Sequence, residues 1–234
     1  MSSFTQKLSA WSVHVFTSLG LLAAFMALVS IDNDDWRTTF LWLVLCFIID
    51  ALDGSLARKF NVETVLPHMD GKSIDYVIDF AAYAIIPTFF FYKAEMASEI
   101  WMFPTVAVML LSSALYYGKK QMVADEQFFI GFPVLWNFVV YFQFFICHNI
   151  QWVNVASVFF FGILHFVPIR FAYPSRSRQF FISHLIISII GLGAALAILW
   201  QYPKTNSILD CVVVLGGIYF IGFAIYDTLR VSEK

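Results

Sequence analysis

The chain has 234 residues, of which 60% are hydrophobic and 13% are charged, with a mean hydropathy of +0.77. Apolar runs this long and numerous exclude a single soluble core and indicate a polytopic membrane protein. The formal net charge of −2 offers no basic surface, so nucleic acid is not an expected partner.

Eight segments are candidate membrane-spanning helices, since crossing the hydrocarbon core takes about 20 apolar residues. They cover residues 11–30, 37–57, 73–92, 99–117, 131–148, 152–169, 180–200 and 208–229. Short polar connections join them, and the first apolar run lacks a cleavage site and is expected to stay as an anchor. The sequence therefore predicts an all-α helical bundle that forms one transmembrane domain over residues 1–234.

The basic residues are distributed unevenly between the two sides of these predicted spans. Of the 14 Lys and Arg residues, only Arg37, Lys93 and Lys204 fall on the side opposite the N-terminus. Cytoplasmic loops carry an excess of Lys and Arg, so both termini are predicted to be cytoplasmic.

Two acidic pairs interrupt the apolar sequence of the second and third predicted spans. Asp50 and Asp53 are three residues apart and Asp75 and Asp79 are four apart, so each pair lies on one face of a helix. A carboxylate at membrane depth costs from about 3 to more than 10 kcal/mol, so four of them require a compensating cation or an aqueous cavity. These aspartates are therefore predicted to form the functional centre, near the cytoplasmic ends of the two spans.

The ligand chemistry of this centre indicates a hard divalent cation. Crowded carboxylate oxygens suit Mg²⁺ or Mn²⁺, and two such ions provide the geometry for phosphoryl transfer. Zinc is not predicted, because the three cysteines lie in apolar stretches without CxxC spacing. Small residues lie on the same helical faces as the two acidic pairs: Ala57 follows Asp53 by four residues, and Gly71 precedes Asp75 by four.

These residues together form a recognisable motif. The stretch reads Asp50-x2-Asp53-Gly54-x2-Ala57-Arg58-x12-Gly71-x3-Asp75-x3-Asp79. It resembles the signature of the CDP-alcohol phosphotransferase family, whose members transfer a phosphate-linked group from a CDP-activated donor and release CMP. The gap between Arg58 and Gly71 is longer than in most of the family. This insert, with the segments FFIGFPVLWN and FVPIRFAYPS, is similar to family members that use choline.

The resemblance implies a role for each matched residue. The family's metal-binding aspartates correspond to Asp50, Asp53, Asp75 and Asp79, and the last of these also matches the proposed catalytic general base. The positions that accommodate the CDP portion correspond to Asp53, Gly54, Ala57, Arg58 and Gly71. The cofactor implied is Mn²⁺ or Mg²⁺, with two ions expected.

The implied reaction is attack by the choline hydroxyl on the β-phosphate of CDP-diacylglycerol, which gives phosphatidylcholine and CMP. A quaternary ammonium is held by aromatic faces. Trp136 and Asn137 in the GFPVLWN segment, Tyr83 one turn beyond Asp79, and Tyr116 and Tyr117 near the end of the fourth span are the candidate choline-binding residues.

Arg170, in the FVPIR segment, is the candidate for holding the lipid phosphate of the donor. Arg176 and Arg178 are explained equally well as ordinary positive-inside residues. The resemblance also implies a bacterial inner membrane location, membrane lipids as surroundings and a homodimer.

Two other readings stay open at this stage. Within the same class, the acceptor could be serine, glycerol phosphate or inositol phosphate, and an anionic acceptor would call for extra cationic residues in its pocket. An ion-coupled transporter also keeps acidic residues at membrane depth, but it would not need Gly54, Ala57, Arg58 and Gly71 at these offsets. An intramembrane aspartyl protease is disfavoured because the GxGD pattern is missing.

Overall fold

A computed structural model describes residues 3–120, 123–124, 128–172 and 180–232, and the chain divides into two compact units, residues 1–94 and 95–234. The predicted all-α membrane fold is confirmed, because six of the described helices are long and apolar enough to cross a membrane. The single domain over residues 1–234 stays a prediction.

The first unit contains three long helices and one short one: α1 (Phe4–Asp32), α2 (Trp36–Lys59), α3 (Val62–Val65) and α4 (Gly71–Lys93). Small residues on α1 allow the other long helices to approach it closely. The Sγ atom of Cys46 in α2 donates to the carbonyl of Gly20 at 3.4 Å. A Cβ at Gly20 would lie 3.1 Å from the Ile78 side chain of α4. Helix α1 therefore brings together the two helices that carry the aspartates.

The insert between the two acidic pairs is folded against α1. It includes α3, whose Val62 is 6% exposed and packs with Ala10 and Val13 of α1. Leu66 and Ala57 pack against the same cluster. The longer insert noted in the sequence thus packs against the first part of α1 and the last part of α2.

Helix α4 contains a π-helical segment, Phe80–Ile85, directly after Asp79. Pro87 follows this segment and offers no N–H, and its ring would crowd the carbonyl four residues earlier, at Tyr83. Widening the turn relieves that conflict, and π-helical turns of this kind are frequent at functional sites. Pro87 is the sequence feature that accounts for this distortion.

The second unit contains α5 (Glu99–Tyr117), α6 (Trp136–Ile146), α7 (Gln151–Leu164), α8 (Phe181–Gln201) and α9 (Ser207–Ser232). It also contains three short strands, β1 (Val123–Ala124), β2 (Phe128–Ile130) and β3 (Arg170–Ala172). The strands form one antiparallel sheet in the order β1-β2-β3, with Phe129 opposite Phe171. The sequence predicted no strand, because a short apolar run cannot be distinguished from the start of a helix by hydropathy alone.

The fifth and sixth predicted spans are shorter helices than expected. The span predicted over 131–148 becomes helical only at Trp136, because Gly131 adopts φ +86° and Pro133 follows it. Helices α6 and α7 measure about 16 and 21 Å, less than the hydrocarbon thickness. They are consecutive, and the Gln143 side-chain amide of α6 donates hydrogen bonds to the Asn154 carbonyl and the Ser157 hydroxyl of α7. The alternation of the spans across the membrane stays a prediction.

Candidate metal centre

Three of the four predicted aspartates meet between α2 and α4. One carboxylate oxygen from each of Asp50, Asp75 and Asp79 lies within 4.8 Å of the other two, and all three residues are partly buried. Asp79 lies about 12 Å along α4 from its first residue. Asp79 is therefore inside the apolar span, where uncompensated charge is costly.

Asp53 lies close to this cluster but outside the group of three oxygens. It is 9% exposed and lines the same small cavity as the other three aspartates. Thr17 of α1, Cys46 of α2 and Ala82 of α4 also line this cavity. Its volume is about 10 Å³, room for roughly one water molecule or ion. All four predicted aspartates thus face one space.

The residues of this cavity fit a divalent cation of the Mg²⁺ or Mn²⁺ type. The donors are carboxylate oxygens, which hard cations prefer, and no thiolate or imidazole belongs to the group of three. Three carboxylates at this separation repel one another, and a bound cation removes that repulsion. The arrangement can therefore hold a divalent cation.

Tyr83, a candidate choline-binding residue, contacts one of the predicted metal-binding aspartates. Its hydroxyl donates a hydrogen bond of 2.8 Å to Oδ2 of Asp50, and only 4% of the residue is exposed. It also lines the cavity that contains the aspartates. Sequence reasoning placed Tyr83 on the same face as Asp79, but it did not anticipate a hydrogen bond to an aspartate of the other helix.

The start of α4 is fixed by the residue before Gly71. Asp70 accepts hydrogen bonds from the Ser73 hydroxyl at 2.6 Å and from the Lys72 backbone N–H at 3.1 Å. These contacts, the Ser73 hydroxyl first among them, hold the pKa of Asp70 below its usual value. A Cβ at Gly71 would lie 3.2 Å from the His14 ring of α1, so Gly71 permits a close approach between the two helices.

The other predicted CDP-binding residues line the end of α2. Gly54 follows Asp53 and is partly buried, whereas Arg58 is exposed and its guanidinium donates to the Ser55 hydroxyl at 3.2 Å. Ala57 packs against the cluster formed with α1 and α3. Its small side chain is therefore explained by helix packing, and its contact with a ligand stays a prediction.

Two of the candidate choline residues surround a histidine in the second unit. The rings of Tyr116 and Trp136 each lie 5.3 Å from the His165 ring, and none of the three residues is more than 1% exposed. The indole N–H of Trp136 donates to the Ser113 hydroxyl at 2.7 Å. The imidazole occupies the space between these two rings, so the contacts seen here are those of a packed core.

The remaining choline candidates lie next to this core. Asn137 follows Trp136 and is buried, with 6% exposed, and Tyr117 makes an edge contact with Tyr116 at 6.5 Å. Tyr83 belongs to the first unit and the other four candidates to the second. Their assembly into one choline site stays a prediction.

Lys119 holds this part of the second unit together. Its ammonium donates to the carbonyls of Ile130 and His165, both at 3.1 Å, and lies 5.0 Å from the Tyr116 ring centroid. Burial lowers the pKa of Lys119. The sequence identified this residue only as part of the positive-inside count, but the structure gives it a specific structural contact between β2 and the end of α7.

Arg170 forms an ion pair with an acidic residue that sequence reasoning missed. Its Nε donates to Oδ2 of Asp227 in α9 at 2.9 Å, and its guanidinium lies 4.4 Å from the Phe128 ring centroid. The backbone N–H of Arg170 donates to the Thr228 hydroxyl at 2.8 Å. An acidic residue inside the last apolar run was the available signal. Arg176 and Arg178 lie outside the described residues.

Replacing Asp227 with Ala is expected to destabilise the protein by about 3 kcal/mol, because it removes the carboxylate to which a largely buried guanidinium donates. Thermal unfolding in detergent measures the effect, with Glu99→Ala, an exposed acid on α5, as the control. Equal unfolding temperatures for both variants would show that the ion pair does not anchor α9.

The fold and the site define a polytopic membrane protein with an oxygen-ligand centre suited to divalent cations. The family model described as CDP-alcohol phosphatidyltransferase matches residues 12–164, and the chain belongs to that family of enzymes. This confirms the family indicated by the motif.

Several relatives match nearly the whole chain. A phosphatidylcholine synthase from Pseudomonas aeruginosa is 34% identical over 96% of this chain and 94% of its own. One from Rhizobium meliloti is 35% identical over 93% of this chain and 90% of its own. One from Borreliella burgdorferi is 30% identical over 96% of this chain and 97% of its own. The similarity therefore extends well beyond the motif.

Proposed function

We propose that the chain is a phosphatidylcholine synthase, which transfers the phosphatidyl group of CDP-diacylglycerol to choline and releases CMP. The observation that carries this proposal is the cluster of Asp50, Asp75 and Asp79 in a chain whose relatives of that name match it over more than 90% of its length. The carboxylate cluster suits the metal-assisted phosphatidyl transfer proposed here, and the names of the relatives indicate choline as the acceptor.

The proposed cofactor is Mn²⁺ or Mg²⁺, with Asp50, Asp75 and Asp79 as ligands and Asp53 available in the same cavity. Such ions neutralise phosphate oxygens and make CMP a better leaving group when they are bound. The carboxylates of α2 and α4 would hold these cations within the apolar spans. The acyl chains of the donor can therefore stay in the bilayer while its phosphate reaches the cations. Two ions, as the resemblance implies, would use all four aspartates.

Asp79 is the proposed general base. Its carboxylate accepts the proton of the choline hydroxyl as that oxygen forms a bond to the β-phosphorus of CDP-diacylglycerol. The bond between the β-phosphorus and the bridging oxygen breaks, and CMP leaves with the electron pair. The position of Asp79 beside Asp50 and Asp75 supports this role, because the acceptor hydroxyl and the phosphate must meet in the same place.

The donor is proposed to lie along the ends of α2 and α4. Gly54 and Gly71 present little side-chain bulk there, and Arg58 offers an exposed cation at the end of α2. Arg170 is the proposed contact for the lipid phosphate in the second unit. Its ion pair with Asp227 is compatible with this role, because a guanidinium carries five N–H donors.

The proposed location is the bacterial inner membrane, with both termini and the active site on the cytoplasmic side. The excess of Lys and Arg on the side of the N-terminus supports this orientation. Arg176, Arg178 and Lys234 contribute to that count and lie outside the described residues. The homodimer expected from the resemblance stays a prediction.

The acceptor is tested by supplying membranes that contain the protein with CDP-diacylglycerol, Mn²⁺ and labelled choline, serine or glycerol 3-phosphate. We expect the label in phosphatidylcholine, with CMP released in equal amount. Membranes containing the Asp79→Asn variant provide the matched background. A labelled lipid from serine or glycerol 3-phosphate, and none from choline, would reject the proposed acceptor and leave the family assignment intact.

A further inference from the structure

We propose that Tyr83 is a positioning residue for Asp50, which it holds in the orientation needed to bind a divalent cation. This inference rests on the metal use proposed above. It assigns Tyr83 to the metal centre rather than to the choline site that the sequence suggested.

The contact between the two side chains is short and well protected. The Tyr83 hydroxyl lies 2.8 Å from Oδ2 of Asp50, and the tyrosine is 4% exposed. Hydrogen bonds to a carboxylate are stronger than those between neutral groups, and exclusion of water strengthens them further. This bond therefore restricts rotation of the Asp50 carboxylate.

The same bond links the two helices that supply the metal ligands. Asp50 belongs to α2, whereas Tyr83 follows Asp79 by four residues on α4, within the π-helical segment. A hydrogen bond across this boundary fixes the position of Asp50 relative to Asp79. Residues that orient metal ligands in this way are a general requirement for affinity.

A role for Tyr83 in binding choline agrees less well with these contacts. A quaternary ammonium requires access to the face of an aromatic ring, and little of the Tyr83 ring is accessible. The Tyr83 hydroxyl donates instead to the Asp50 carboxylate, and a donor of this kind orients a carboxylate that binds a metal. The hydroxyl, rather than the ring, is therefore the functional part of Tyr83.

The test is the Tyr83→Phe variant, which retains the ring and removes the hydroxyl. We expect its affinity for Mn²⁺, measured by the loss of the free Mn²⁺ signal in electron paramagnetic resonance, to fall by about 10-fold or more. The KM for choline at saturating Mn²⁺ should stay at the wild-type value. The matched control is Tyr92→Phe, which removes an exposed hydroxyl at the other end of α4.

Each result has a distinct meaning. Unchanged Mn²⁺ affinity in Tyr83→Phe would overturn the inference, and a raised KM for choline with unchanged Mn²⁺ affinity would return Tyr83 to the choline site. A lower thermal stability with unchanged Mn²⁺ affinity would show that the hydrogen bond between Tyr83 and Asp50 stabilises the fold and does not position a metal ligand. Failure of the wild-type protein to bind Mn²⁺ would instead reject the metal centre of the proposed function.

Discussion

Replacing Asp79 with Asn is expected to lower turnover by about 1,000-fold or more, because an amide neither accepts the acceptor's proton nor holds a cation as a carboxylate does. The folded protein should be retained. The change removes one of three negative charges whose oxygens lie within 4.8 Å of one another, so the unfolding temperature should stay the same or rise.

The rate of CMP release from purified protein and its thermal unfolding in detergent check the two parts of this prediction. Asp70→Asn is the matched control, because Asp70 is an exposed carboxylate at the start of the same helix and Asn caps a helix about equally well. Turnover of Asp79→Asn within about ten-fold of wild type would exclude Asp79 as the general base.

Removing divalent cations is expected to reduce activity more than about 100-fold, since a metal contributes several kcal/mol to stabilising charge in such a reaction. Dialysis against EDTA, followed by addition of Mn²⁺ or Mg²⁺, should abolish and then restore formation of the labelled lipid. Ca²⁺ should restore it poorly, because it prefers more ligands and longer distances.

A chelator can also disturb a membrane preparation in other ways, and EDTA saturated with Mg²⁺ before addition controls for this. The Asp53→Asn variant provides a further comparison. Asp53 lines the cavity without belonging to the three-oxygen group, so we expect a smaller loss of Mn²⁺ affinity for it than for Asp75→Asn. Full activity in the presence of EDTA would contradict the metal centre.

The aspartate cluster could be predicted from the sequence because two simple rules combine. A charge inside an apolar helix requires a partner, and spacings of three and four residues place each acidic pair on one helical face. The structure brings Asp50, Asp75 and Asp79 together as those rules require. The rules do not specify the rotation of one helix relative to the other. They therefore could not predict that Asp53 lies outside the group of three.

The hydrogen bond from Tyr83 could not be predicted in the same way. It depends on the distance between α2 and α4 and on the π-helical turn that rotates the residues after Asp79. Neither quantity is visible in a hydrophobic pattern with a period of 3.6 residues. The position of Tyr83 next to the motif therefore indicated a role near the aspartates. It did not indicate whether the ring or the hydroxyl performs that role.

Residues outside the motif either follow the same rules or depend on packing that those rules do not describe. Asp227 satisfies the same rule as the aspartates of the motif, an acid in an apolar run, and its partner is Arg170. Strand β2 ends just before Gly131, and Gly131 and Pro133 interrupt a segment whose composition alone predicts a helix. The four aromatic choline candidates are among 44 aromatic residues of the chain, and composition cannot separate a packed ring from a binding one.

The central claim is that Asp50, Asp75 and Asp79 bind a divalent cation in the cavity that α1, α2 and α4 line. Anomalous diffraction from crystals of the protein grown with Mn²⁺ locates such ions without reference to activity. We expect a manganese peak among the carboxylates of these three residues. A manganese peak elsewhere, or an empty cavity in crystals of active protein at saturating Mn²⁺, would contradict the account.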